Sequence, residues 1–287
     1  MESEIKGGTL YVCGTPIGNM EDVTLRVLRT LKQVELIAAE DTRQSVKLLN
    51  FYDIKTPLTS YHEHNKEVKG PKLAAMLKEG KSIAIVTDAG MPGISDPGED
   101  LIAICHREGI PVTIVPGATA VITALVLSGL PARSYIFEGF LPTNKKQRKQ
   151  VVERLVNETR TAVLYEAPHH LKATLKELAE SLGEREAVAV RELTKRHETM
   201  NRGTLKELAA YFEENEPKGE FVLVIKGVDT VDLKKAETAD FEKMSIEEHY
   251  EKYIAQGVES KEAMKMVAKD RGIGKRDVYK AVINKDR

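Results

Sequence analysis

The chain has 287 residues, with 43 lysines and arginines against 44 aspartates and glutamates, a formal net charge of −1. Apolar residues make up 41% of it and charged residues 30%, the mix of a folded globular protein. That composition excludes a disordered chain, a collagen-like fibre and a disulfide-stapled scaffold, and the length fits two domains. Near-neutral charge means that any affinity for nucleic acid has to come from local basic patches. Cys13 and Cys105 each sit in an apolar run and fit a reducing cytoplasm better than a secreted scaffold. The opening MESEIKGGTL has no apolar secretion segment. The uncharged stretch between Glu108 and Arg133 is divided by Pro111, Pro116, Gly117, Gly129 and Pro131, so it reads as strand, turn and helix, not as a membrane span.

In chain order, Thr9–Gly14 is a β-prone apolar run, and Val23, Val27, Leu28 and Leu31 stand at helical spacing over Val23–Lys32. A strand at Val34–Ala39 and a helix at Thr42–Asn50 follow. Lys72–Lys78 is helical and stopped by Gly80, Ser82–Thr87 is a strand, and Glu99–Arg107 is a helix stopped by Gly109. Val112–Val115 and Thr119–Ser128 complete a first half whose short apolar strands, spaced by helices, predict a largely parallel sheet covered on both faces. A second α/β unit runs through a strand at Ser134–Phe140, the basic helix Lys145–Val156, strand Thr161–Tyr165, helix Leu171–Leu182, strand Ala187–Val190, helix Leu205–Glu214 and strand Phe221–Ile225. The sequence is then polar to about Met244. Ser260–Asp270 and Lys275–Ile283 read as two helices joined by a glycine turn, and from Lys261 to Arg287 there are nine basic and four acidic residues. The expected division is an α/β domain over 1–129, a second over 130–228, a linker over 229–244 and a small basic helical module over 245–287.

In a parallel sheet, ligands gather at the carboxyl ends of strands, so the loops there hold the candidate chemistry. Gly14-Thr15-Pro16-Ile17-Gly18-Asn19 is neither a Rossmann nor a P-loop fingerprint, which argues against phosphate. Ala39-Glu40-Asp41-Thr42-Arg43 puts three charged residues directly after a strand; Asp41 alone reads equally well as the cap of the helix beginning at Thr42. The segment from Asp88 to Gly98 holds three glycines and two prolines in eleven residues, as expected where backbone groups must approach a ligand closely. Pro116-Gly117-Ala118-Thr119-Ala120 places small residues at a strand-to-helix junction, leaving room for a tightly packed helix or a flat ligand.

Seven motifs in this order, TPIGN (15–19), AEDTR (39–43), DAGMPGISDPG (88–98), VPGATA (115–120), FEGFLP (137–142), YEAPH (165–169) and RELTK (191–195), resemble the ribosomal RNA small-subunit methyltransferase I family, of the tetrapyrrole-methylase-like fold. The resemblance implies two α/β domains with S-adenosylmethionine (SAM) bound in the cleft between them, and a homodimer. It also implies a cytoplasmic enzyme that methylates the 2′-oxygen of a cytidine in the decoding region of 16S rRNA, within the small ribosomal subunit. Cofactor contacts map by resemblance onto Ile17, Asp88, Ala89, Gly90, Met91, Ile94, Thr119, Ala120 and Tyr165. Two residues depart from pattern: His170 stands where the family usually carries arginine, and Met91 where corrin and porphyrin methylases carry aspartate.

A ribose hydroxyl is a poor nucleophile at neutral pH, so a proton acceptor and a neighbouring cation are expected. Glu40, Asp41, Glu166 and Glu192 are the candidate acceptors, with Arg43 and Lys195 as cations; Arg191 and Arg196 beside Lys195 are expected to lower its pKa by like-charge repulsion. Lys145, Lys146, Arg148 and Lys149, with Lys275 and Arg276 of the C-terminal module, are the candidate RNA contacts, each run reading otherwise as a solvated helix face. The histidine pairs 62/64 and 169/170 lack further ligands nearby, so no metal is expected. Other acceptors of the same fold, a tetrapyrrole or a protein side chain, and a SAM- and RNA-binding assembly factor without turnover, are the competing readings.

Overall fold

The structure, a computed structural model, describes residues 4–230, 233, 241 and 244–283. They fall into two compact units, one of Met1–Leu155 with Arg160–Lys226 and one of Val156–Thr159 with Gly227–Arg287.

The first unit holds two sheets. Strands β1 (Leu10–Cys13), β2 (Leu36–Ala39), β3 (Leu58–Ser60), β4 (Ile83–Val86) and β5 (Val112–Val115) pair in the order β3-β2-β4-β1-β5, all parallel. β1 and β4 are buried at every residue, which is why they read as unbroken apolar runs. Alternate residues of β1 serve opposite faces: Leu10 and Val12 join a core with Leu77, Ile85 and Leu101, while Tyr11 and Cys13 join another with Leu31, Ile37 and Val86. Helices α1 (Leu25–Gln33), α2 (Thr42–Phe51), α3 (Lys66–Lys78), α4 (Gly98–Arg107) and α5 (Ala120–Ser128) make the crossovers. Thr24 caps α1 by accepting from the Val27 N–H, and Asp41 caps α2 by accepting from the Arg43 N–H. α3 begins six residues before its expected start. Pro71 reads as a boundary, yet the burial of Gly70, Leu73, Ala74 and Leu77 carries the helix through it.

The second sheet contains β6 (Tyr135–Phe140), β7 (Thr161–Glu166), β8 (Glu186–Arg191), β9 (Thr199–Thr204) and β10 (Phe221–Ile225), ordered β6-β7-β10-β8-β9. Only β6 and β7 pair in parallel there. One face packs on α6 (Lys145–Val156), α7 (Pro168–Leu182) and α8 (Leu205–Glu214). The other packs on Val121, Ala124 and Leu125 of α5 and on Ile17 and Leu193, so the last helix of the first half is the floor beneath the second sheet. This shared layer brings the strand-end loops of the first sheet against β7, β8 and β10.

The second unit is built on helices α9 (Ile246–Ala255), α10 (Ser260–Arg271) and α11 (Lys275–Ile283), around Met264, Val267, Ala268 and Val278. Gly272, at φ 62°, makes the left-handed turn that ends α10. Most of the polar stretch read as a linker, 231–232, 234–240 and 242–243, lies outside the described residues. Among the described residues no helix is long and apolar enough to cross a membrane.

Candidate active site

Because β1 lies between β4 and β5, the loops that follow these three strands meet at one end of the sheet. Thr15 and Gly90 exchange backbone hydrogen bonds of 2.9 and 3.2 Å, and the Thr15 hydroxyl donates to the Thr87 carbonyl at 3.1 Å. Gly14 and Gly117 approach so closely that a Cβ on Gly14 would stand 2.7 Å from the Gly117 Cα, and one on Gly117 2.8 Å from the Gly14 carbonyl oxygen. The long loop before α4 is ordered by Asp96, whose carboxylate accepts from the backbone N–H groups of Gly93, Ile94 and Gly98. Gly90 and Gly93, both at φ 88°, supply the turns that its proline-bracketed path requires.

These loops and the second sheet enclose a cavity of about 560 Å³. All nine expected cofactor contacts, from Ile17 through Asp88–Met91, Ile94, Thr119 and Ala120 to Tyr165, line it, and so does Glu40. Sequence reasoning missed Phe140, Pro168 and Val222 in the same wall. Phe140 meets Tyr165 in a tilted ring contact, 5.5 Å between centroids, and its signal was present in FEGFLP. A second cavity of about 350 Å³ adjoins the first and shares Ile17, Thr87, Asp88, Ala89 and Glu220 with it; Lys195 lines this second one. Asp41 and Arg43 line neither.

Hydrogen bonding sorts the candidate acceptors. Asp41 caps α2 and holds the Arg43 guanidinium at 2.7 Å; these bonds bring its pKa down to about 2, so it is a poor base. Glu166 is buried, with one oxygen on the Ala167 N–H and the other on the Thr174 hydroxyl, which makes it a brace at the start of α7. Glu192 loses solvent, which raises its pKa, but bonds from the Glu220 N–H and Lys195 outweigh that and lower it overall. Glu40 accepts from the Thr87 hydroxyl at 2.6 Å. Asp88 accepts the Asp41 N–H at 3.0 Å, and its pKa is raised, first by desolvation and then by the charges of Glu40 and Asp41. Glu40 and Asp88 are therefore the acceptors left at the cavity.

The expected lowering of the Lys195 pKa is not what the surroundings produce. Desolvation does pull it down, but the ammonium sits 2.8 Å from Glu220 and 2.9 Å from Glu192, and these bonds raise it overall. Lys195 is a held cation, not a neutral base. Its turn is strained: Glu192 and Thr194 have φ of 52° and 63°, the latter on a β-branched residue. Of the basic run on α6, Lys145, Lys146 and Lys149 are exposed, whereas Arg148 turns inward to Glu177 at 2.6 Å and Thr174 at 2.8 Å, which withdraws it from the exposed face. Lys275 and Arg276 are exposed on α11. Burial pushes the Cys13 thiol up to about 12 and Cys105 up to about 11.

Comparison with known proteins fits this geometry. Residues 9–209 match the tetrapyrrole (corrin/porphyrin) methylases. The chain is 52% identical over 272 residues to ribosomal RNA small subunit methyltransferase I of Halalkalibacterium halodurans, covering 95% of this chain and 93% of that one. It is 48% identical over 274 residues to the protein of that name in Bacillus subtilis, covering 96% and 94%. The Thermotoga maritima protein of the same name is 48% identical over 220 residues, 77% of this chain but 99% of that one. Among solved structures, uroporphyrin-III-C-methyltransferase of Thermus thermophilus superposes with a TM-score of 0.56 at 24% identity, covering 76% of this chain and 94% of that one. Diphthine synthase superposes at 0.59 and 13%, covering 76% and 89%, and these two likenesses show the fold.

Methyltransferases of this fold draw their methyl group from SAM. The larger cavity fits that molecule: its volume is that of a small-ligand cleft, and it offers Met91, Ile94, Phe140 and Tyr165 for an apolar ring face beside the polar Thr87, Asp88 and Thr119. With two α/β layers meeting over this cavity and relatives of one name matching nearly its whole length, the chain belongs to the ribosomal RNA small subunit methyltransferase I family of tetrapyrrole-type methylases.

Proposed function

We propose that the chain methylates rRNA of the small ribosomal subunit with SAM as donor, at the 2′-oxygen of a cytidine in the decoding region of 16S rRNA. The rRNA acceptor rests on the name shared by relatives at 48–52% identity. The hydroxyl acceptor rests on one observation: a carboxylate of raised pKa, Asp88, and a held cation, Lys195, both line the cavity that adjoins the cofactor cavity.

SAM, when bound, supplies a methyl group already activated on a sulfonium for in-line displacement. The protein's part is alignment, exclusion of water and management of one proton. Asp88, its pKa raised by desolvation, accepts the ribose proton more readily than an ordinary aspartate, with Glu40 beside it on the same wall. The Lys195 ammonium stabilises the negative charge that grows on the oxygen as the proton leaves. Glu192 and Glu220 hold that ammonium in place, and Glu166 braces the start of α7 at the edge of the cofactor cavity.

Lys145, Lys146 and Lys149 on α6, and Lys275 and Arg276 on α11, supply phosphate contacts in this reading. The proposed assembly is a homodimer, supported by the exposed apolar side chains of Ile114, Ile122, Val126 and Leu127 on β5 and α5. Light scattering at micromolar concentration tests it, a monomeric mass being the contrary result.

The function is tested by transfer of labelled methyl from SAM to small subunits lacking this modification, beside naked rRNA and a tetrapyrrole precursor. Incorporation into the rRNA of the subunit is expected. Label on the tetrapyrrole alone, or none on any RNA while SAM binds, overturns the reading.

A further inference from the structure

The cavity beside the cofactor cavity has its own chemistry. Among its lining groups are Gln44, Ser45, Lys47, Asp88, Lys195 and Glu220, a mixture of amide, hydroxyl, cations and carboxylates. Such a wall offers a ligand both hydrogen-bond donors and acceptors, while Pro16, Ile17, Met20 and Leu48 give it apolar surface for a ring face. Its volume of about 350 Å³ is at the small end of ligand clefts.

We propose that this cavity receives the acceptor nucleotide, a single pyrimidine turned out of the RNA, and that Gln44 on α2 reads its base edge. This rests on the reading of the chain as an rRNA 2′-O-methyltransferase. Three observations support it. The first is position. A reacting oxygen must come within about 3–3.5 Å of the methyl carbon, so the acceptor ribose has to sit at a boundary of the cofactor cavity. Asp88, Thr87 and Ala89 form a wall common to both cavities. A ribose lying against that wall from the second cavity meets Asp88 as proton acceptor, and its base extends toward α2.

The second observation is the donor pattern of Gln44. Its side-chain oxygen accepts from the Lys47 ammonium at 2.8 Å, which leaves its two amide N–H groups to donate. Cytosine offers two adjacent acceptors, O2 and N3, on the edge it exposes once unpaired, and its amino group can donate to a carboxylate such as Glu220. Uracil in the same place sets its N3–H donor against the amide donors. The side chain that fixes the Gln44 orientation is itself a cation at the same cavity, suited to the neighbouring phosphate.

Preorganisation is the third. A Cβ on Gly18 would stand 2.5 Å from the Lys195 Cγ and 2.7 Å from the Leu193 carbonyl oxygen, so the TPIGN loop lies directly on the RELTK turn. That turn carries the positive φ angles of Glu192 and Thr194. Strained backbone pressed against a glycine loop holds Lys195 at this cavity, as a charged group acting on a developing oxyanion must be held.

The test uses the full-length protein and measures methyl transfer to small subunits carrying unmodified 16S rRNA, and to subunits in which the acceptor cytidine is replaced by uridine. Wild type is compared with Gln44→Ala and Gln44→Glu, with SAM affinity and Tm measured alongside. Gln44 is exposed on a helix surface, so both variants should fold. We expect kcat/KM on the cytidine subunit to fall about tenfold or more in Gln44→Ala, the loss of one well-placed hydrogen bond to a buried base. The preference for cytidine over uridine should narrow as well. Gln44→Glu, which sets an acceptor against the base acceptors, should fall further, with SAM affinity unchanged in both. Wild-type rates and an unchanged base preference in Gln44→Ala overturn the proposal, as does a loss of transfer that tracks a loss of SAM affinity. Absence of transfer by the wild type to any RNA refutes the underlying function and the pocket with it, an outcome read before the variants are compared.

Discussion

Gly14→Ala puts a methyl group where the loops after β1 and β5 nearly touch. The new Cβ would stand 2.7 Å from both the Cα and the N of Gly117 and 2.6 Å from the Met91 Sδ. Carbon atoms at rest lie about 3.5–4.0 Å apart, so the two loops must separate by about 1 Å. Met91 can swing aside, but the Gly117 backbone cannot, because its own loop starts directly from β5, where Val115 accepts the Gly14 N–H at 3.0 Å. Overpacking of this kind costs about 1–3 kcal/mol, which corresponds to a Tm lowered by about 2–5 °C in a chain of this size. The displaced segment carries Thr119 and Ala120 into the cofactor cavity, so SAM affinity should fall by about tenfold or more. Calorimetric titration with SAM and thermal unfolding measure both effects. Gly109→Ala is the control: it sits at φ 67° with nothing within 4 Å of a new Cβ, so it should lower Tm through backbone strain and leave SAM binding untouched. Wild-type SAM affinity in Gly14→Ala would refute the idea that this glycine contact shapes the cofactor site.

Asp88→Asn should lower kcat by about 10²–10⁴ and remove the acid limb of its pH profile. That limb reflects a base whose folded pKa is raised by desolvation, so in wild type it lies above the position an ordinary aspartate would give it. By the same linkage, ionised Asp88 opposes folding above its unfolded pKa, and the asparagine variant should be no less stable than wild type at neutral pH; an unchanged limb would assign the proton to another group. Lys195→Met should reduce kcat by about a hundredfold with SAM affinity intact, whereas a loss seen only in KM would make Lys195 a binding group. The native protein should resist iodoacetamide at pH 8, because burial holds the Cys13 and Cys105 thiols near 12 and 11, and two thiols should react once it is unfolded; a fast native equivalent would contradict that burial. Lys275→Ala combined with Arg276→Ala should raise KM for RNA and flatten its dependence on salt, with kcat and SAM affinity unchanged, and a constant salt slope would remove α11 from the RNA contacts.

Much of the fold could be read from the sequence where burial on both faces makes strands apolar throughout. β4, β5 and β10 are of this kind or bounded by clear glycine and proline signals. β3 and β9 were missed because they are short or polar: Leu58-Thr59-Ser60 offers no alternation, and β9 is an edge strand with no buried residue. α9 was missed although Ser245 and Glu248 form a capping box, a signal carried by the sequence itself. For the candidate cofactor site, the motifs that carry the family resemblance named nine residues, and the structure lines one cavity with all of them. The acid–base assignment was not legible in the same way. Whether a carboxylate is a base depends on which hydrogen bonds already occupy it, and for Asp41, Glu166 and Glu192 only the folded partners reveal that. The pKa direction of Lys195 failed for the same reason. Its sequence neighbours are cations, but its nearest charges in space are Glu192 and Glu220.

The position of the transferred methyl group tests the central claim most directly. Small subunits labelled by the enzyme should yield, after complete nuclease digestion and mass analysis, a single labelled nucleoside with the methyl on the ribose of cytidine. The bond that follows it in the RNA should resist alkali, because the 2′-oxygen that would attack the phosphate is blocked. Label on a base carbon or nitrogen, or an alkali-labile bond at the labelled site, would contradict the account.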